Sequence, residues 1–268
     1  EKPSNSPEKQ AETSGTGIKA RDSVQADSDP KLSQKQQSQA EQQTQGEANS
    51  DSLNFILRGV IDGAARTEVI LDKLGIAGDS KALASTVVNK ADRFQFGGKI
   101  PRPGLYSIRF PSDQIIVALE GGVQKVEADF ANLDAYKARG EGADGTRFMR
   151  RSFLLLNKYN SKGDSLRKVA KTTSNTDKKL RLYDTLEKRQ KGWNKAKFRE
   201  MKTLVQEAWD ANSIAAPAIA VRAAVQKDYD FFKRMHADFK DQYPENYCVK
   251  KLGEKLQNAR DYLERQKE

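Results

Sequence analysis

The first fifty residues contain only three large apolar side chains, Ile18, Val24 and Leu32, and that scarcity limits what the chain can build. Nine glutamines lie between Gln10 and Gln45, among Ser, Glu, Lys and Asp. Such a stretch has too little apolar surface to offset the entropy lost on ordering it. The sequence therefore predicts a disordered polar leader over residues 1–50. About 218 residues remain to fold, enough for one large domain or two small ones.

Apolar spacing in the remainder points to a mainly α protein. Leu53, Ile56, Leu57, Val60 and Ile61 recur at three and four residues, and Val69, Ile70, Leu71 and Leu74 continue the pattern, so residues 51–74 read as helix. Lys81 to Phe94, with Leu83, Val87, Val88 and Ala91, reads as a second helix. Gly97, Gly98, Pro101, Pro103 and Gly104 then rule out more helix. Tyr106, Ile108 and Phe110 alternate along one side, a turn follows at Pro111–Gln114, and Ile115–Leu119 is a short apolar run. This is the signature of one β-hairpin at about 105–119. Val123, Val126, Phe130, Leu133 and Tyr136 predict a further helix up to Arg139. Gly140–Gly145 reads as a flexible connector. Beyond it the stripes of Phe198, Met201, Leu204, Val205 and Ala208 and of Val249, Leu252, Leu256, Ala259 and Leu263 predict helices. The expected organisation is a disordered leader (1–50), a small α+β unit carrying the hairpin (51–145) and a basic helical bundle (146–268).

Charge is concentrated in one place. Residues 146–204 hold eighteen Lys or Arg against five Asp or Glu, a net of +13, whereas the whole chain carries +10. Residues 51–145 sum to −1. A field of this size attracts phosphate polymers, anionic lipid or an acidic protein surface. The sequence singles out Arg150, Arg151, Lys178, Lys179, Arg181, Lys188, Arg189, Lys191 and Lys195 as an exposed cationic surface. Trp193, between Gly192 and Asn194 and flanked by Lys191 and Lys195, is the aromatic placed to stack on a base.

Catalytic signatures are sparse. One histidine, His236, and one cysteine, Cys248, cannot by themselves build a metal site, so no metal and no cofactor are expected. Cys248 reads as a small buried hydrophobe. Gly140, Gly142 and Gly145 match G-x-G-x-x-G, but a helix is expected before them where the dinucleotide motif needs a strand. No run approaches the ~18 apolar residues of a membrane span. A single cysteine permits no internal disulfide, which suits a reducing compartment or a secreted protein that needs no staples. The chain starts at Glu1 rather than Met, as a processed mature protein would.

Three readings follow. The first is a non-enzymatic protein whose basic helical surface engages a polyanion, nucleic acid foremost, with little sequence preference. The second is a secreted or injected effector, or a virion component, that binds an acidic protein partner. The third is a winged-helix-like DNA reader over residues 66–119, with the expected second helix in a groove.

Overall fold

The computed structural model describes residues 52–75 and 80–266. The leader expected to be disordered lies outside the described residues. Eight strands come first: β1 (Leu53–Asp62), β2 (Glu68–Leu74), β3 (Ser80–Val87), β4 (Arg93–Ile100), β5 (Gly104–Arg109), β6 (Gln114–Leu119), β7 (Gly122–Asp129) and β8 (Asn132–Arg139). They form two four-stranded sheets, ordered β4-β1-β7-β8 and β3-β2-β5-β6. All pairings are antiparallel except β1 with β7, which run parallel from Phe55↔Gly122 to Asp62↔Asp129.

The mainly α fold with a single hairpin is therefore corrected. The hairpin at about 105–119 is present as β5 and β6, but it is one of several strand pairs. Residues 51–74 misread as helix because β1 is a central strand, paired on both sides. Phe55, Leu57, Gly59 and Ile61 point into the core at period two, while Ile56 and Val60 stay half-buried on the other face. β-branched and large residues suit both faces of such a strand, and the mixture imitates a three–four stripe. The helix expected over Lys81–Phe94 is β3, a turn and β4. In the turn, Asn89 Oδ1 accepts from the backbone N–H groups of Ala91 and Arg93, and Asp92 takes φ 59°. The helix expected up to Arg139 is the β7–β8 hairpin, whose turn is closed by Asp129 Oδ1 accepting from Ala131 N–H. With β2, β3 and β4 as strands, the winged-helix reading has no helix to place in a groove.

The two sheets face each other across one apolar core. Leu57, Ile61, Phe96, Val126 and Leu133 meet Val69, Leu71, Tyr106, Ile108, Ile115 and Val117 there, all but fully buried. Gly59 leaves room for the Phe94 ring: a Cβ there would fall 1.9 Å from Phe94 Cε1. That ring meets Phe96 and Phe110 edge-on.

Helices occupy the rest: α1 (Asp144–Thr172), α2 (Thr176–Asp210), α3 (Ala215–Ala220), α4 (Tyr229–Gln242) and α5 (Tyr247–Arg265). α1 runs unbroken through Asn160–Gly163, despite the glycine there. Between Pro217 and Tyr243 the chain forms the end of α3, a 3-10 turn at Val225–Asp228, and α4. A second core joins α1–α5 through Met149, Met201, Leu204, Val205, Ile219, Phe232, Met235, Phe239, Leu252 and Leu256. Ala118 belongs to it, with Leu105 and Ile116 packed alongside, so the outer face of the β5–β6 pair serves the helices.

Polar contacts fix the sheet-to-helix junction. Ala118 N–H donates to Thr146 Oγ1 (3.0 Å), the Thr146 hydroxyl donates to Gln124 Oε1 (2.9 Å), and Gln124 Nε2 donates back to Ala118 O (3.1 Å). Thr146 and Gln124 are buried, so this closed ring meets their hydrogen-bonding needs without water. Glu120 extends the clamp to the other end of the bundle. Its Oε1 accepts from the Ser213 hydroxyl (2.7 Å) and from Ile214 N–H (2.6 Å), just ahead of α3. The glycine stretch read as a flexible connector is tightly packed. A Cβ on Gly140 would lie 2.4 Å from Val123 O, and one on Gly142 would lie 2.2 Å from Gly121 O.

Candidate anion-binding hairpin

α1 and α2 lie side by side, joined through residues 173–175, with Asn175 Oδ1 capping α2 by accepting from Lys178 N–H. Their base sits in the helical core through Met149, Phe153, Met201 and Leu204. Their far turns do not. Tyr159, Gly163, Ala170 and Leu186 are buried yet belong to neither core. From Tyr159 to Thr172 is thirteen residues, a reach of about 20 Å at 1.5 Å per residue. The sequence closes this distal seam with small and spaced apolar residues and places charge on the remainder. Residues 160–195 hold eleven Lys or Arg and four Asp or Glu.

The ten residues singled out from the sequence divide into groups. On α2, positions 178, 181, 185, 188, 189, 192, 195, 196 and 199 succeed one another at helical spacing, and none is acidic. Lys178, Arg181, Lys188, Arg189 and Lys195 fall on this side; all are exposed, and none is in ion-pair contact with a carboxylate among the described residues. Lys179 is half-buried and lies off this side. Lys191 is on another side, paired to Glu187 at 3.1 Å. Trp193 is half-buried, less free to stack than its flanking residues implied. Arg151 is paired to Glu207 at 2.5 Å. Arg150 faces the β-sheet: its guanidinium lies 5.8 Å from the Tyr136 ring centroid and donates to Ala135 O at 3.5 Å. Five of the ten thus gather, and Arg150, Arg151, Lys179, Lys191 and Trp193 do not join them.

The structure adds cations that sequence reasoning passed over. Arg151, Leu155 and Glu207 line one shallow groove with Arg199, Glu200 and Thr203, which places this side of α1 next to the Arg199 side of α2. Lys158 and Lys162 follow Leu155 on α1 at three- and four-residue spacing, and both lie over the Tyr159 ring, at 5.2 and 5.3 Å. That spacing was readable once α1 was known to be unbroken. Glu200 accepts from Lys158 Nζ (2.8 Å) and from the Tyr159 hydroxyl (2.6 Å), which hold its carboxyl below the usual range. The acid here is spoken for.

Other sequence candidates are structural. Burial pushes the Cys248 thiol up to about 12, so the thiolate is scarce at neutral pH. Native protein at pH 8 should resist alkylation by iodoacetamide, with full labelling only in denaturant. Rapid native labelling, read by intact mass, would contradict this burial. His236 packs against Gly253, where a Cβ would meet Nε2 at 2.9 Å. Burial holds its pKa below the ordinary histidine value. Among the described residues no group of three or more His, Cys, Asp or Glu could hold a metal ion, and no helix is long and apolar enough to cross a membrane.

The class of protein defined here is a two-sheet β unit joined to a helical bundle that carries a cationic helical hairpin. A scan against family models finds no match, and neither the curated proteins nor the solved structures yield one.

Proposed function

We propose that the chain is a non-enzymatic binding protein and that the cation-rich side of the α1–α2 hairpin is its working surface, engaging a polyanion with little sequence preference. The observation that carries this reading is the stripe of Lys178, Arg181, Lys188, Arg189 and Lys195, exposed and without a carboxylate partner among the described residues. Surface cations of helical proteins are commonly interleaved with acids at i±4, which neutralises the face. Here Asp177 and Asp184 stand four residues before Arg181 and Lys188, yet neither is in ion-pair contact with a cation of the stripe among the described residues. The mechanism is phosphate neutralisation with release of counterions, and nucleic acid is the leading ligand.

The test is binding of the chain to labelled single- and double-stranded oligonucleotides across a salt series. Five phosphate contacts on duplex DNA give log K against log salt a slope of about −4.5. Changing Lys178, Arg181, Lys188 and Arg189 to Gln should flatten it by about 3.6. No binding at low salt, or an unchanged slope in the variant, would sink the proposal. A second reading, an acidic protein partner, is favoured by Leu180, Val169 and Tyr183. These are exposed by 60%, 49% and 39% toward the far end of the same hairpin. Apolar groups among cations suit a protein surface better than a phosphate backbone.

A further inference from the structure

A different site lies on another side of α2, at its junction with the turn before the Val225–Asp228 3-10 segment. A cavity of about 250 Å³ opens there, lined among others by Phe198, Met201, Ala224, Lys197, Arg222 and Lys227. Its floor is apolar and its three ionisable groups are all cations. The nearest acid in sequence, Asp228, is held by Lys202. Arg222 is positioned by stacking, its guanidinium 4.2 Å from the centroid of the Phe153 ring, and Lys227 lies 5.5 Å from the centroid of Phe198. Neither side chain has an ion-pair or hydrogen-bond partner among the described residues. A guanidinium carries five N–H donors in a planar fork matched to a carboxylate. Arg222 is exposed as a residue, and the packing of its guanidinium on Phe153 still draws its pKa below the ordinary arginine value through desolvation. Two unpaired cations held against aromatic rings at the rim of an apolar cavity leave their donors free for an entering anion.

We infer that this cavity is a binding site for a small amphiphilic carboxylate, with the carboxyl on Arg222 and Lys227 and the apolar part on Phe198, Met201 and Ala224. The size argues for a short ligand. At ~30 Å³ per water, the cavity holds the equivalent of about eight waters, close to the bulk of a medium-chain acyl group. Pockets for small molecules commonly combine an apolar wall with a few placed polar groups. This site shares none of the five cations on which the proposed polyanion surface rests, so each can fail without the other.

The experiment is calorimetric titration of the full chain with sodium octanoate at low ionic strength, with octanol as the uncharged match. Octanoate should bind, with octanol about tenfold or more weaker, because the charge-assisted bonds are lost. Arg222→Gln should weaken octanoate by about tenfold or more. Lys227→Gln, at an exposed position that leaves the fold alone, should weaken it several-fold. Ala224→Phe should abolish it by filling the cavity. Oligonucleotide binding by Arg222→Gln should be unchanged, which separates the two surfaces. Absence of octanoate binding, equal binding of octanol, or indifference to both charge variants would each overturn the assignment.

Discussion

Replacing Gly140 by alanine should destabilise the protein by about 4 kcal/mol, the largest effect expected of any single methyl group added here. Two penalties combine. Gly140 has φ 109° and ψ 173°, a conformation reserved for glycine, which alone costs an L-residue roughly 1–3 kcal/mol. The new Cβ would also sit 2.4 Å from Val123 O and 3.2 Å from Gln124 Cα. Both are backbone atoms of β7, held by β1 on one side and β8 on the other, so the neighbour cannot swing away as a side chain would. Overpacking of this kind adds about 1–3 kcal/mol. Denaturant titration of Gly140→Ala beside Gly192→Ala gives the reading. Gly192 lies within α2 with nothing near its would-be Cβ, so alanine there should stabilise by up to about 1 kcal/mol. A Gly140→Ala variant as stable as the parent would mean that the junction yields.

Glu120→Ala should cost about 3 kcal/mol, lowering the melting temperature by about 10 °C for a chain of this size. The carboxylate receives the Ser213 hydroxyl and the N–H groups of Ile214 and Gly145, and its removal leaves three donors without their acceptor. Its position also gives the loss a pH signature. Burial raises the Glu120 pKa above its ordinary value, and the three donors only partly oppose that. The native state therefore holds this proton more tightly than the unfolded chain does. Stability contributed by the group is greatest below the ordinary carboxylate range and declines as pH rises through the folded value. The gap between parent and Glu120→Ala should accordingly narrow as pH climbs through that window. A gap that widens would show that the ionised form is the one the site prefers.

These two positions show where the sequence was legible. Helix-forming segments after residue 146 have one apolar face and a polar remainder, and α1, α2 and α5 follow that signal. The β5–β6 hairpin announced itself because one side of it alternates cleanly between Pro103 and Asp113. The other strands gave no such sign. β1 has apolar residues on both faces, Phe55, Leu57 and Ile61 on one and Ile56 and Val60 on the other, so it shows no clean alternation. β3 is almost wholly exposed and carries small residues, Ala82, Ala84 and Ser85, that favour no period. The β7–β8 turn lacks the Asn-Gly or Asp-Gly signature and depends on Asp129 bonding to its own backbone. The Gly140–Gly145 stretch shows the limit most sharply. Glycine spacing is the same whether the residues permit motion or permit contact, and only the neighbouring strand decides which. For the candidate hairpin, charge density was plain from the sequence. The division of Arg150 and Arg151 from Lys178, Arg181, Lys188, Arg189 and Lys195 was not, because it depends on the second core and on Glu207.

The parallel pairing of β1 with β7 sets an order of assembly. Phe55 must find Gly122, sixty-seven positions later, before the central strand of its sheet has both neighbours. α1 and α2, by contrast, meet through a three-residue link. Contacts between distant segments must overcome loop-closure entropy before they return any stability, so they form slowly. Local helices form in about a microsecond. During refolding the cationic hairpin should acquire its shape while the sheets are still searching for register, and the apolar edge of β1 is unprotected until β7 arrives. Chain concentration in that interval, more than final stability, would govern how much protein is recovered.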